Sequence, residues 1–236
     1  MSERFQTTRW SLVLAAAQGG EGAAEALEWL CGTYWYPLYA FIRRHGYDAE
    51  AARDLTQSFF LHLLEKNALS KLDPRQGKFR AFLLASVKNF MSNEREHGRA
   101  LKRRADNPAF RLTLDGAEQR YLGEPAADLS PEDLFETRWA RTVLERAMRR
   151  LGDEHHSAGK GEVFNRLRGH MTGEEASYDR LAEELGTSAG ALRVTLHRMR
   201  QRLGALLREE VAHTVSSPAD VDNEIREILH AAGRRT

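Results

Sequence analysis

Apolar residues in this chain recur at intervals of three and four almost throughout, and no Val/Ile/Thr-rich stretch alternates with period two. That pattern admits helices and leaves nothing to build a sheet from, so the fold class is all-α. The segment Ala49 to Lys66 is typical, with Ala51, Leu55, Phe59 and Leu63 on one stripe to be buried. A hydrophobic fraction of 42% over 236 residues is too high for a disordered chain and sufficient for two small domains. The longest fully apolar runs, such as Leu12 to Ala17, fall far short of the ~20 residues of a membrane helix, so no membrane insertion is expected. Met1 to Phe5 lacks a signal-peptide core. The single cysteine, Cys31, excludes an internal disulfide and suits a reducing, cytoplasmic setting. A net charge of +1 says little about partners; the distribution of charge says more.

Stop and start signals divide the chain. Thr8 caps an expected helix Arg9 to Gln18, and Gly19-Gly20 stops it. A second helix runs through Tyr34-Trp35-Tyr36, is broken or kinked at Pro37, and resumes to Arg44. Gly46 ends it, and Asp48 opens the next. Asn67 to Lys78 reads as a loop, and Phe79 to about Glu96 as a helix. Ala100 to Pro131 then carries Lys102-Arg103-Arg104, prolines 108, 125 and 131, and little periodicity, the composition of a partly ordered linker. Ser130-Pro131-Glu132-Asp133 is a helix start, with Ser as N-cap and Pro at the first helical position. That helix should end near Leu151, leaving Gly152 to Gly161 as a polar loop. After Ser217-Pro218 comes a short amphipathic helix with Val221, Ile225, Ile228 and Leu229 on one side, expected to pack on the domain before it. The domain plan is therefore 1–99, a linker over 100–133, a second domain over 134–215, and an extension over 216–236.

The most informative local pattern lies between Tyr178 and Leu203. Two helices joined by a tight turn need a small residue in the first, a glycine in the turn, and apolar residues in the second facing the first. Ala182, Gly186, Leu192 and Leu196 meet these demands, and Ser188 is placed to cap the second helix. From Ala189 to Leu203 there is no carboxylate, while Arg193, His197, Arg198, Arg200 and Arg202 are cationic or titratable. A cationic second helix in a helix-turn-helix fits the major groove of a polyanion.

The segments Ala182 to Ser188 and Leu192 to Leu203 resemble region 4 of bacterial Sigma-70 family factors of the extracytoplasmic-function (ECF) group. Asp48 to Phe60, Phe79 to Leu83 and Lys88-Asn89 resemble region 2 of the same group, in the family's order. The resemblance implies two helical domains, a region 2-like bundle and a region 4-like helix-turn-helix domain, joined by a linker. It implies a transcription initiation factor that binds core RNA polymerase, directs it to promoter DNA and assists melting. Asp54 and Gln57, opposite the buried stripe and so expected to be exposed, match residues that dock on the clamp helices of the largest polymerase subunit. Leu72 to Lys78 matches the loop that captures a flipped base of the minus-ten element. Asn89, Ser92 and Asn93 match the face that contacts single-stranded promoter DNA there. Arg193, Val194 and His197 match positions that read the minus-thirty-five element, with Arg198, Arg200 and Arg202 placed for phosphates. An anti-sigma factor is a possible further partner.

The chain departs from the plainest members of that group in its long interdomain segment, the stretch 152–161 and the extension past residue 216, and no family role is carried onto these. Lys102-Arg103-Arg104 reads equally as a solvated charge run or as a segment following the DNA backbone or the polymerase exit channel. No glycine-rich phosphate loop, nucleophile elbow or carboxylate pair stands out. His155-His156 is not accompanied by a cysteine pair, so no cofactor, metal or catalytic centre is expected. The rival reading is a self-sufficient helix-turn-helix regulator with an N-terminal sensing or dimerising domain, binding operators without polymerase. A DNA-processing enzyme would need a catalytic cluster that the sequence does not offer.

Overall fold

The computed structural model describes residues 23–65, 78–97, 116–124, 129–172, 178–212, 214–215 and 217–233. Among these are nine α-helices and no strand: α1 (Ala23–Arg44), α2 (Ala49–Glu65), α3 (Phe79–His97), α4 (Ala117–Gly123), α5 (Pro131–Ser157), α6 (Gly161–Leu167), α7 (Tyr178–Glu184), α8 (Ala189–Ala212) and α9 (Val221–Ala232). The expected helix Arg9 to Gln18, the loop Leu72 to Gly77 and the run Lys102-Arg103-Arg104 lie outside the described residues. No described helix is long and apolar enough to cross a membrane. The chain forms two compact units, 1–142 with 212–236, and 143–211.

The first unit is built on α1. From Trp29 onward this helix buries Leu30, Tyr34, Tyr36, Leu38, Tyr39, Phe41 and Ile42. A helix apolar on every side has to be surrounded. It runs unbroken across Pro37, so the interruption expected there is not made. Burial on both sides of the proline outweighs the lost hydrogen bond. Asp48 caps α2 by accepting from the Ala51 N–H at 2.8 Å. Leu55, Phe59 and Leu63 of the stripe are buried, and Ala52 rather than Ala51 completes it. α3 buries Leu83, Val87, Phe90 and Met91, the three- and four-residue spacing of one apolar face.

Part of the expected linker is a docked helix. Glu118 of α4 accepts from Arg43 Nε at 2.9 Å and Nη2 at 2.7 Å, and from the Tyr39 hydroxyl at 2.5 Å. Tyr121 packs edge-on against Tyr39, and Arg120 lies 4.0 Å from the Tyr36 ring centre. Seven residues cannot sustain a helix alone, so these contacts hold α4 in place.

α5 starts as the sequence predicts, with Ser130 Oγ accepting from the Asp133 N–H at 3.1 Å. Its first twelve residues belong to the first unit and the rest to the second. It then continues through Gly152 to Ser157, so 152–157 is helix rather than loop. The reason is close packing: a Cβ on Gly152 would lie 2.9 Å from the Phe164 ring. Gly152 is thus where α6 approaches α5, not where α5 stops.

The extension also differs from expectation. It belongs to the first unit, not to the helix-turn-helix unit. The buried face of α9 is Glu224, Ile228 and Ala231, while Leu229 is 55% exposed. Glu224 and Glu227 meet Lys78 and Arg80 at the start of α3. The helix is therefore turned so that a carboxylate, not a leucine, faces inward.

The Arg43 guanidinium, through its hydrogen bonds, holds the Glu118 carboxyl below its ordinary range. An acid with a lowered folded pKa stabilises the fold above its unfolded value of about 4.3, and the contribution is lost as pH falls through the folded value. Glu118→Gln is expected to cost about 1 kcal/mol at pH 7, its partial exposure limiting the loss. In thermal denaturation followed by circular dichroism, the gap between variant and parent should narrow below about pH 4.

Candidate nucleic-acid interface

The helix-turn-helix forms as its residue types demand. α7 ends in a hydrogen-bonded reversal in which the Thr187 N–H donates to Ala182 O at 2.9 Å and the Gly186 N–H to Glu183 O at 3.2 Å. This is the paired closure of a helix C-terminus, and it requires a left-handed residue at the first position past the helix, the donor of the shorter-range bond. Gly186 supplies it at φ +60°. Ser188 then caps α8, its Oγ accepting from the Ala191 N–H at 3.2 Å. Ala182 is buried, as are Leu192, Leu196 and Met199 on the inner face of α8.

The outer face of α8 carries the predicted readers. Arg193, Val194, His197, Arg198 and Arg200 are all exposed. Val194 is 51% exposed, a large apolar side chain left to solvent beside two cationic positions. The later arginines divide. Arg200 donates from its guanidinium Nη2 to the His170 carbonyl at 2.7 Å while the residue stays on the surface. Arg202 pairs through Nε and Nη2 with both oxygens of Glu154 at 2.9 and 2.6 Å. That fork ties α8 to α5, and the carboxylate raises the Arg202 pKa above its ordinary value. Arg202, expected to face phosphates, is instead a strut inside the second unit. Arg150 makes a similar tie, to Glu209 at 2.5 Å and Glu210 at 2.9 Å.

In the first unit, Asn89, Ser92 and Asn93 are exposed on α3. They stand on the side away from Val87, Phe90 and Met91, which are buried. One helical turn brings 89, 92 and 93 onto a common surface, the arrangement expected from the sequence. Lys88 beside them is held by Glu132 at 2.6 Å. Phe79 and Phe90 are buried and Phe82 is half-buried, with Phe79 stacked on Phe82 at 6.2 Å. The first two serve the core.

Asp54 and Gln57 are half-buried rather than exposed. Burial, reinforced by Glu50 and Asp48, raises the Asp54 pKa. The folded state therefore disfavours the ionised carboxylate here, so Asp54 weakens the fold at neutral pH.

Two features escape sequence reasoning. One is the α4 anchor. The other is the cluster at Arg80, whose guanidinium meets Glu136, Glu224 and Glu227 and lies 4.4 Å from the Trp139 ring centre. Among the described residues no three His, Cys, Asp or Glu side chains converge as a metal site. His155 and His156 turn their Nδ1 atoms to the helix carbonyls of Leu151 and Gly152 and pack on Phe164.

Residues 34–103 match the Sigma-70 region 2 family. The chain thus carries a Sigma-70 region 2 domain, in the segment that holds Asp54, Gln57, Asn89, Ser92 and Asn93. That domain supports a role in transcription initiation and implies association with core RNA polymerase. No curated protein and no solved structure matches this chain.

The turn geometry makes a direct prediction. Forcing a Cβ into the left-handed region costs ~1–2 kcal/mol, so Gly186→Ala should destabilise the second unit by about that much. Gly204→Ala, at an exposed helical position with open space for a Cβ, should be neutral or stabilising by up to ~1 kcal/mol. Differential scanning calorimetry of the two variants measures both.

Proposed function

We propose that this chain is a transcription initiation factor of the ECF type, which binds core RNA polymerase, brings it to particular promoters and assists strand opening. The observation that carries the reading is a coincidence within one chain. A Sigma-70 region 2 match over 34–103 precedes a helix-turn-helix whose second helix keeps Arg193, Val194, His197 and Arg198 on its outer face. In this reading the region 4-like module reads duplex DNA upstream, and the region 2 domain handles polymerase and the melted strand.

The division of labour on α8 follows from chemistry. Arg193 lies in its first turns, where a recognition helix comes nearest base edges, and a guanidinium can pair bidentately with guanine. Val194 suits a thymine methyl. Arg198 and Arg200 come later and suit phosphates, which fix position without reading sequence. Asn89, Ser92 and Asn93 offer hydrogen bonds to unpaired bases. Asp54 and Gln57 are the proposed polymerase contacts. The protein would have no catalytic centre and would act in the cytoplasm; an anti-sigma partner would regulate it.

Run-off transcription with bacterial core polymerase and the gene's own upstream DNA tests the reading. A discrete transcript that depends on this protein is expected. Tight duplex binding without polymerase, and no transcript, would favour a self-sufficient regulator instead. Two variants refine it. Asp54→Ala with Gln57→Ala should weaken polymerase binding by much more than any change in stability, read by thermal denaturation of the same variant. Arg193→Ala should relax preference at one base pair of the upstream element by ~1–3 kcal/mol. Arg198→Ala should weaken binding about equally on every promoter and reduce the salt dependence. Uniform loss with Arg193→Ala, scored on promoters changed one pair at a time, would refute base reading.

A further inference from the structure

Lys78 and Arg80 stand at the N-terminal end of α3, and α9 covers them with two carboxylates. Arg80 donates from Nη2 to Glu227 Oε2 at 2.6 Å and from Nη1 to Glu224, and Lys78 Nζ reaches Glu224 Oε2 at 2.8 Å and also Glu227. The Arg80 side chain is 7% exposed and that of Glu224 is fully buried, whereas Lys78 and Glu227 stand at 33% and 43%. Glu136 of α5 is the remaining carboxylate, at 2.7 Å from Arg80 Nε. Two cations thus face three carboxylates while α9 is docked, and one if it leaves. With α9 gone, Glu136 alone faces two cations, and the opened site is net positive and attracts another anion.

The hold on α9 is of a kind that can be exchanged. Among its apolar side chains Ile228 and Ala231 are buried and Val221 and Ile225 half-buried. Twelve residues are too few for a stable isolated helix, so α9 is folded by its docking, in which a small apolar contact is joined by the ion pairs to Lys78 and Arg80. Two carboxylates on a Lys–Arg pair present what the backbone of a nucleic acid presents: successive negative oxygens for a fork and a point charge. The Trp139 ring beneath the guanidinium is buried and holds it in place by a cation–aromatic contact.

We propose that α9 is a built-in carboxylate plug: Lys78 and Arg80 form a phosphate site for single-stranded DNA, and Glu224 and Glu227 keep it shut until DNA displaces the helix. This rests on the reading of the first unit as the part that handles the melted strand. It assigns the C-terminal extension an autoinhibitory duty, suppressing strand binding by the free protein.

The test uses the full chain and a fluorescein-labelled 20-residue oligothymidylate, followed by anisotropy at low salt. Glu224→Gln with Glu227→Gln removes both charges at constant shape, and should tighten binding about tenfold, the effect of clearing two phosphate-equivalent positions. Adding Lys78→Ala to that variant should abolish the gain. Binding no tighter than the parent would overturn the plug. Should the variant unfold, hydrogen exchange on the unsubstituted chain decides. Amides of residues 221–232 should exchange faster when the oligonucleotide saturates the protein, and unchanged or slower exchange would overturn the proposal. Run-off transcription on the same proteins separates the two claims. Tighter strand binding without any transcript would sink the initiation-factor reading and leave the plug standing. A transcript with no gain in strand binding would do the reverse.

Discussion

A buried guanidinium, that of Arg80, sets the architecture of the first unit. Its side chain is 7% exposed, and an arginine so far from water requires carboxylates on every face it presents. They come from α5 and α9, through Glu136, Glu224 and Glu227. Satisfying one residue of α3 therefore recruits the start of one later helix and the whole of another. This is why the first unit is discontinuous in sequence, gathering 1–142 and 212–236. Exposed ion pairs contribute little individually. This network matters because its central members are out of solvent and removal of either strands the other.

The second unit commits several of its cations to ties between its own helices. Arg146, Arg150 and Arg202 are each committed to a carboxylate on another helix. They brace α8 against α5. Arg193, His197 and Arg198 stand on the outer face one to two turns earlier. In the proposed reading, the outer face of α8 would meet DNA while Arg202, further along the same helix, braces it against α5. Glu118 is paired with Arg43, whereas Asp54 is half-buried and its carboxyl pKa is raised first by that burial and then by Glu50.

What was legible in the sequence was local. Ala182, Gly186 and Ser188 lie within seven residues, and their geometry is dictated by backbone sterics and capping. The face of Asn89, Ser92 and Asn93 and the stripe of Leu55, Phe59 and Leu63 follow from helical period alone. What was not legible depended on partners far along the chain. Arg80 and Glu224 are 144 residues apart, and Glu118 and Arg43 are 75. A periodicity count that registers only apolar residues turns α9 toward Leu229, because it has no means of knowing that Glu224 will meet two cations. Gly152 misled for a related reason. In isolation a glycine beside charged residues reads as a helix end, and only the Phe164 ring against it explains why the helix passes through.

The central claim is that one chain couples upstream duplex recognition by α8 to strand opening by the region 2 domain, in partnership with polymerase. Permanganate reactivity of promoter thymines tests this most directly. With bacterial core polymerase and this protein together on its cognate promoter, unpaired thymines should appear in a short window downstream of the recognised element. Neither component alone should produce them. A duplex that is bound but remains unreactive with both present would contradict the account.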